Sequence, residues 1–263
     1  MTSRTDGDVR SGRPANPVAL ITGAAGRIGS AIALRLAKEG YRIVLVDVAE
    51  SVYQNAATLT GDGYQAKAVH LDITDPQAVA TLATQVGDWW SDLAVLINNA
   101  GISPKYRGAK RTVADIPLEE WNRVLSVNLT GMFLITQTCL PALKRHGWGR
   151  VVMIASQAAR TRTHVPGAHY QATKAGMVAF ARVLAAEVAE NGVTVNSVAP
   201  GRIRTDMTAV VSDELNGSLA SSIPAGRMGE ADEVAAAVAY LVSVDAGYST
   251  GSILDINGGS FMP

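Results

Sequence analysis

Apolar residues in this chain fall into two kinds of run. The short, nearly continuous kind comprises "VALI" from Val18, "RIVLVD" from Arg42, "AVHLD" from Ala68, "LAVLINN" from Leu93, "RVVMIAS" from Arg150, "VTVNSVAP" from Val193 and "SILDIN" from Ser252. Strands buried on both faces of a parallel sheet have this composition, without the alternation of a half-exposed strand. The longer kind has helical spacing. After the first run Ile28, Ile32 and Leu36 recur four apart on one face, and Gly40 follows as a stop. After the third, Asp75 precedes Pro76, an N-cap with proline at the first helical position. Strand then helix, repeated with right-handed crossovers, predicts an α/β fold: a doubly wound, seven-stranded parallel sheet with helices on both faces.

No repeat, linker or shift of composition marks a second domain, and 263 residues at 48% hydrophobic suffice for one core, expected over 16–263. Residues 1–15, rich in Gly, Ser, Arg and Asp, are expected to form a flexible tail. The weakly periodic segment 205–226 follows a strand ending in "APG". Ligands of open α/β sheets bind beyond the carboxyl ends of strands, so this segment is placed to act as a lid.

Lys plus Arg and Asp plus Glu both total 23, so there is no global charge to recruit nucleic acid or an anionic membrane. No apolar run approaches the roughly 18 residues of a membrane span, and the N-terminus lacks the apolar centre of a signal peptide. Cys139 is the only cysteine, which excludes an intramolecular disulfide. His70, His146, His164 and His169 are too scattered to read as a metal site. The expectation is a cytoplasmic protein acting on a small molecule, without a metal.

"ITGAAGRIG" (21–29) repeats glycine every third residue between a predicted strand and an amphipathic helix. There, backbone N–H groups of a glycine-rich turn can approach a pyrophosphate with the helix dipole behind them, and Gly23, Gly26 and Gly29 are the candidates. Asp47 ends the second strand 18 residues after Gly29, near the spacing of an acid that binds adenosine ribose hydroxyls. Further on, Tyr170 and Lys174 lie four apart on one helix face, downstream of Ser156 at a strand end, so that hydroxyl and phenol can converge on one carbonyl. Taken singly, each has a bland reading as a turn glycine, a packed aromatic, a strand-end cap or a solvated lysine.

In order along the chain stand "TGAAGRIG", "NNAG" (98–101), Asn128 in "SVNLTG", Ser156 in "IAS", "YQATK" (170–174), "PGRIRT" (200–205) and "INGG" (256–259). With them the sequence resembles the short-chain dehydrogenase/reductases of the shorter, single-domain branch, over essentially 16–263. The resemblance implies a Rossmann-type domain that binds a nicotinamide dinucleotide. It makes Tyr170 the general acid in reduction and the general base in oxidation, with Lys174 lowering its pKa and holding the nicotinamide ribose. Ser156 would hydrogen-bond the substrate oxygen, and Asn128 would help hold a relay water. Cofactor positions carried over are Gly23, Gly26, Arg27, Ile28 and Gly29 in the turn, Asp72 and Ile73 near adenine, Asn99, Ala100 and Gly101 along the fourth strand, and Pro200, Gly201, Ile203 and Thr205 near the carboxamide. Helices around 121–143 and 176–188 pair subunits in the family, which implies a homotetramer. Two departures stand out: Arg27 takes the place of the middle glycine, and the 14 residues from Ser156 to Tyr170 are about one more than usual.

A phenol has a reference pKa near 10, so ionising it near pH 7 asks for about 4 kcal/mol of differential stabilisation of the anion, for which Lys174 is the source. Arg27 favours the extra phosphate of NADP and Asp47 opposes it. An acid beside a phosphate costs roughly 4 kcal/mol at an effective dielectric of about 20, against about 1 kcal/mol or less from an exposed arginine pair. NAD is therefore expected over NADP.

Two loops at the expected rim are basic: "SPKYRGAKR" holds Lys105, Arg107, Lys110 and Arg111, and "SQAARTRTH" holds Arg160 and Arg162 near His164. Neither contains an acid. Arg160, Arg162 and His164 are the substrate candidates, for a small polar and anionic alcohol or ketone such as a sugar, polyol or hydroxy acid. His169 reads as a solvated loop residue. The alternatives are a 3-oxoacyl-acyl carrier protein reductase using NADPH and, from another class, a nucleotide-binding regulatory protein.

Overall fold

The computed structural model of the chain describes residues 12–106, 108–205, 208 and 213–263. β1 (Val18–Thr22) alternates its side chains between two helical layers: Val18 and Leu20 join one core, Ala19 and Ile21 the other. α1 (Arg27–Lys38) buries Ile32 and Leu36 as their spacing predicts, and Gly40 turns the chain at φ +84° into β2 (Arg42–Asp47). α2 (Ser51–Gly61) and β3 (Ala66–His70) follow. α3 (Pro76–Ala80) is capped by Asp75, which accepts from the N–H groups of Gln77 and Ala78, and α4 (Leu82–Val86) leads to β4 (Leu93–Asn98).

Next come α5 (Leu118–Leu125), a π-helical turn (Ser126–Gly131) and α6 (Met132–Lys144) as one continuous helical run. By length and composition this 27-residue run, which holds an 18-residue window of mean hydropathy 1.3, is apolar enough to cross a membrane. In the fold it buries Val124, Met132, Ile135 and Cys139 in the core and begins with Glu119, Glu120 and Arg123. β5 (Gly149–Ile154), α7 (Ala168–Val188), β6 (Val193–Pro200), α8 (Asp213–Ser221), α9 (Ala231–Val242) and β7 (Ile253–Ile256) complete the order.

All seven predicted strands form, in a parallel sheet of order β3-β2-β1-β4-β5-β6-β7. Helices α6 and α7 cover one face, and α1, α2 and α9 the other. The order reverses between β1 and β4, and a ligand crevice opens beyond the carboxyl ends of the strands at such a switch point. Two stretches singled out in the sequence reach beyond the described residues. Arg13, inside the stretch read as tail, lies over the Tyr41 ring at 4.7 Å, and residues 1–11 lie outside the described residues. Of the segment read as a lid, 206–207 and 209–212 lie outside them as well.

Candidate active site

A cavity of about 640 Å³ runs along the carboxyl ends of β1, β2, β4, β5 and β6. Gly23, Gly26, Arg27, Ile28 and Gly29 line it at the first turn, Asp47 at the end of β2, Asp72 and Ile73 after β3, and Asn99, Ala100 and Gly101 after β4. Ser156, Tyr170 and Lys174 line its far end with Pro200, Gly201, Ile203 and Thr205. Every cofactor position carried over from the resemblance therefore borders one space.

The first turn is held by Asn99, whose Nδ2 donates to the carbonyls of Thr22 (3.0 Å) and Gly23 (2.9 Å). Gly23 sits at φ +65°, and a Cβ there would lie 2.7 Å from Ala100 Cα; one on Gly29 would lie 2.3 Å from Gly23 O. Gly26 meets nothing closer than 3.6 Å and serves as N-cap of α1. Two of the three glycines thus let the turn pack tightly on itself and on the end of β4, which leaves the start of α1 on the cavity wall, where a pyrophosphate fits. Arg27 is the first residue of α1. Asp47 accepts from Ala25 N–H through Oδ2 and from Ala49 N–H through Oδ1, both at 2.9 Å, so its carboxylate anchors the turn as well as facing the cavity. Asp72 Oδ1 accepts from the N–H and hydroxyl of Thr74, which shapes the turn after β3.

At the far end Tyr170 and Lys174 are buried on α7, with Lys174 Nζ 5.7 Å from the phenol ring centre. Burial raises the Tyr170 pKa, and its hydrogen bond with Ser156 offsets part of this. The expectation that Lys174 pulls the phenol down is not met in this geometry: burial lowers the ammonium itself to about 8, and Nζ donates to Ile154 O at 2.7 Å. Asn128 lies in the π turn, fully buried. Its Oδ1 accepts from Ile102 N–H (2.7 Å) and its Nδ2 donates to Ile102 O and Thr173 Oγ1. Its side chain is thus spent on joining the β4 loop to α7.

The substrate candidates do not join this group. Arg160 pairs with Asp255 at 3.1 Å and lies over Phe261, while Arg162 and His164 are exposed and do not line the cavity. Arg111 pairs with Glu120, and Arg107 lies outside the described residues. Acids outside the two loops thus neutralise Arg160 and Arg111. His169 is buried within the first turn of α7 rather than solvated. The sequence reading missed Arg123, Ser126 and Val127, which line the cavity; their i, i+3, i+4 spacing on one helix face was the available signal. Among the described residues no three His, Cys, Asp or Glu side chains gather as metal ligands.

The arrangement sets a hydroxyl beside a protonated phenol, where both can turn to one carbonyl oxygen, at the end of a cleft that fits a dinucleotide. A family model described as enoyl-(acyl carrier protein) reductase matches residues 23–260. The 3-oxoacyl-acyl-carrier-protein reductase FabG of Haemophilus influenzae is 38% identical over 93% of this chain and 98% of its own length. Among solved structures, a 3-oxoacyl-acyl-carrier-protein reductase from Brucella melitensis superposes with TM-score 0.89 at 34% identity, covering 97% of this chain and 94% of that one. A second from the same organism, with bound NAD, gives 0.88 at 32%, covering 96% and 94%. Matches of this coverage, on a chain whose own residues already read that way, mean that it belongs to the short-chain dehydrogenase/reductase family, nicotinamide-dependent oxidoreductases acting between alcohol and ketone.

Proposed function

We propose that this enzyme reduces a 3-oxoacyl thioester to the 3-hydroxyacyl compound with NADH, in the cytoplasm. One observation carries the reading: the Ser156–Tyr170–Lys174 group and Asp47 stand at opposite ends of one cavity. Similarity to reductases of 3-oxoacyl carrier proteins along nearly their whole length supports the substrate class. It replaces the small polar alcohol expected from the basic loops, since Arg160 and Arg111 are paired with acids. Asp47 supports NAD over NADP, because a phosphate on the adenosine ribose would meet its carboxylate at a cost of roughly 4 kcal/mol. A relative of the same name holds NAD.

Bound nicotinamide supplies the hydride. The chain supplies the rest: the turn that Gly23 and Gly29 allow, with the start of α1, would hold the pyrophosphate, Ser156 would donate to the substrate oxygen, and the Tyr170 phenol would give it a proton. Lys174 holds ribose and phenol in register. Turnover of 3-oxoacyl thioesters, polyols and hydroxy acids, each with NAD(H) and NADP(H), tests the proposal. NADH-dependent thioester reduction is expected; thioester reduction restricted to NADPH would overturn the Asp47 argument.

A second reading, oxidation of a small anionic hydroxy acid, rests on Lys105. It stands three residues beyond the cavity-lining Ile102; its ammonium is held by Ser103 Oγ and Val165 O, and burial and the nearby Arg202 lower its pKa. Turnover of hydroxy acids in that panel, with none of thioesters, would favour it.

A further inference from the structure

Helix α7 begins without a side-chain cap at Gly167, yet its third residue is Tyr170, and the first N–H groups of a helix have no partners within it. Tyr170 N–H finds one in the preceding side chain: it donates to His169 Nδ1 at 2.7 Å. The imidazole folds back over residue 167, where a Cβ would lie 2.7 Å from His169 Cε1, so glycine is what lets the ring in. An Nδ1 that accepts leaves the ring hydrogen on Nε2, and Nε2 lies 3.0 Å from Glu120 Oε1 on α5. The other Glu120 oxygen takes Arg111 Nε at 3.1 Å, from the loop after β4. Hydrogen bonds from His169 first, and from Arg111, hold the Glu120 carboxyl below its ordinary range, so it stays an acceptor. On its other side the Tyr170 carbonyl accepts from Thr173 Oγ1 at 2.8 Å, which in turn accepts from Asn128.

We propose that His169, oriented by Glu120 and Arg111, is a positioning residue for the reaction: it fixes the main chain of Tyr170 so that the phenol meets the substrate oxygen. The inference rests on Tyr170 being the proton donor. Glu120 selects the one neutral tautomer that can accept from Tyr170, as a carboxylate behind an imidazole does in metal and nucleophile sites. This gives the sequence "PGAHY" a physical reading. Glycine admits the ring, histidine caps the helix, and tyrosine receives the alignment.

The experiment compares His169→Ala, His169→Asn, Glu120→Ala, the His169→Ala/Glu120→Ala double variant and Tyr170→Phe. It measures kcat, KM for NADH, and NADH binding by fluorescence. Misplacing a reacting group by an ångström or less lowers rates steeply, so His169→Ala should lose about tenfold or more in kcat. Its KM and affinity for NADH should stay within about twofold, since the cradle at β1 is untouched. Asparagine can accept the same N–H, so His169→Asn should recover most of the loss. If Glu120 acts through His169, the double variant should be no slower than His169→Ala alone. Losses that multiply, asparagine no better than alanine, or a lowered Tm with kcat unchanged would overturn the proposal. Should His169→Ala not fold, the His169→Asn and Glu120→Ala arms decide it by the same kcat-against-KM split. Full turnover by Tyr170→Phe would remove the proton-donor reading and the inference with it. A dead Tyr170→Phe beside a wild-type His169→Ala would remove the inference alone.

Discussion

Tyr170 is raised above the ordinary phenol range by burial, so it is protonated at neutral pH, the form a general acid needs in reduction. The sign follows: oxidation needs the phenolate and gains as pH rises, while reduction loses. In pH–rate profiles kcat/KM for oxidation should still be climbing at pH 10, and Tyr170→Phe should lose about 10²- to 10⁴-fold in kcat with its fold intact. Lys174 is a buried ammonium lowered to about 8. Its folded-state pKa lies below the unfolded value, so at pH 7 it costs up to about 3 kcal/mol of stability, a cost that fades as pH rises from about 8 towards 10.5. Lys174→Met should therefore raise Tm at pH 7, offset in part by the stranded Ile154 carbonyl, while abolishing turnover. The gain in Tm should shrink when the melts are repeated at pH 10. Asp47→Ser should move preference from NAD towards NADP by about tenfold or more in kcat/KM. It should also lower stability by about 1–2 kcal/mol, because Ala25 and Ala49 lose their acceptor.

Elements differ in how much of their sequence the site requires. The first turn looks like three equivalent glycines, yet only two are held by contact. Gly29→Ala drives a Cβ into Gly23 O and Ala24 Cα, both main chain, so the turn or α1 must shift. We expect a loss of about 1–3 kcal/mol and weak NADH binding. Gly26→Ala, with φ −79° and only a 3.6 Å neighbour, should keep the stability, so any loss of NADH binding there reads out contact with the cofactor itself. Thermal melts and fluorescence titration of the pair separate steric need from mere turn composition. The run from α5 to α6 teaches a similar lesson. A regular helix would carry Arg123, Ser126 and Val127 past the cavity on one face, and the π turn sets Asn128 inward between the β4 loop and α7. Such turns cluster at functional sites because the widened helix re-aims a side chain.

At the scale of the whole molecule, apolar groups remain outside the core on the helices read as subunit-pairing. Phe133 is 42% and Val183 61% exposed, and Phe133 packs edge-on against Phe180. The family-level expectation of a homotetramer predicts a light-scattering mass four times the 27.5 kDa chain. Phe133→Asp with Val183→Asp should reduce that mass by burying charge in the contact. Binding to the folded state alone also predicts that NAD raises Tm more than NADP at equal concentration.

Much of this was legible in the sequence because its causes are local. Seven buried strands, the Asp75 cap, the spacing of Tyr170 and Lys174 and the glycine turn each depend on residues within a few positions, where periodicity and backbone sterics act directly. What the tertiary structure decided is which charges and polar groups meet. Arg160 and Arg111 read as a cationic rim until Asp255 and Glu120, from other elements, neutralise them. Tyr170 was expected to be lowered by its lysine neighbour and is raised instead, since desolvation depends on everything packed around a group. His169 read as solvated because its loop is polar, but the fold buries it against α5. Local sequence sets backbone conformation through short-range sterics and pattern. Electrostatics and burial act through space, so they took their values only when the sheet brought its strand ends together.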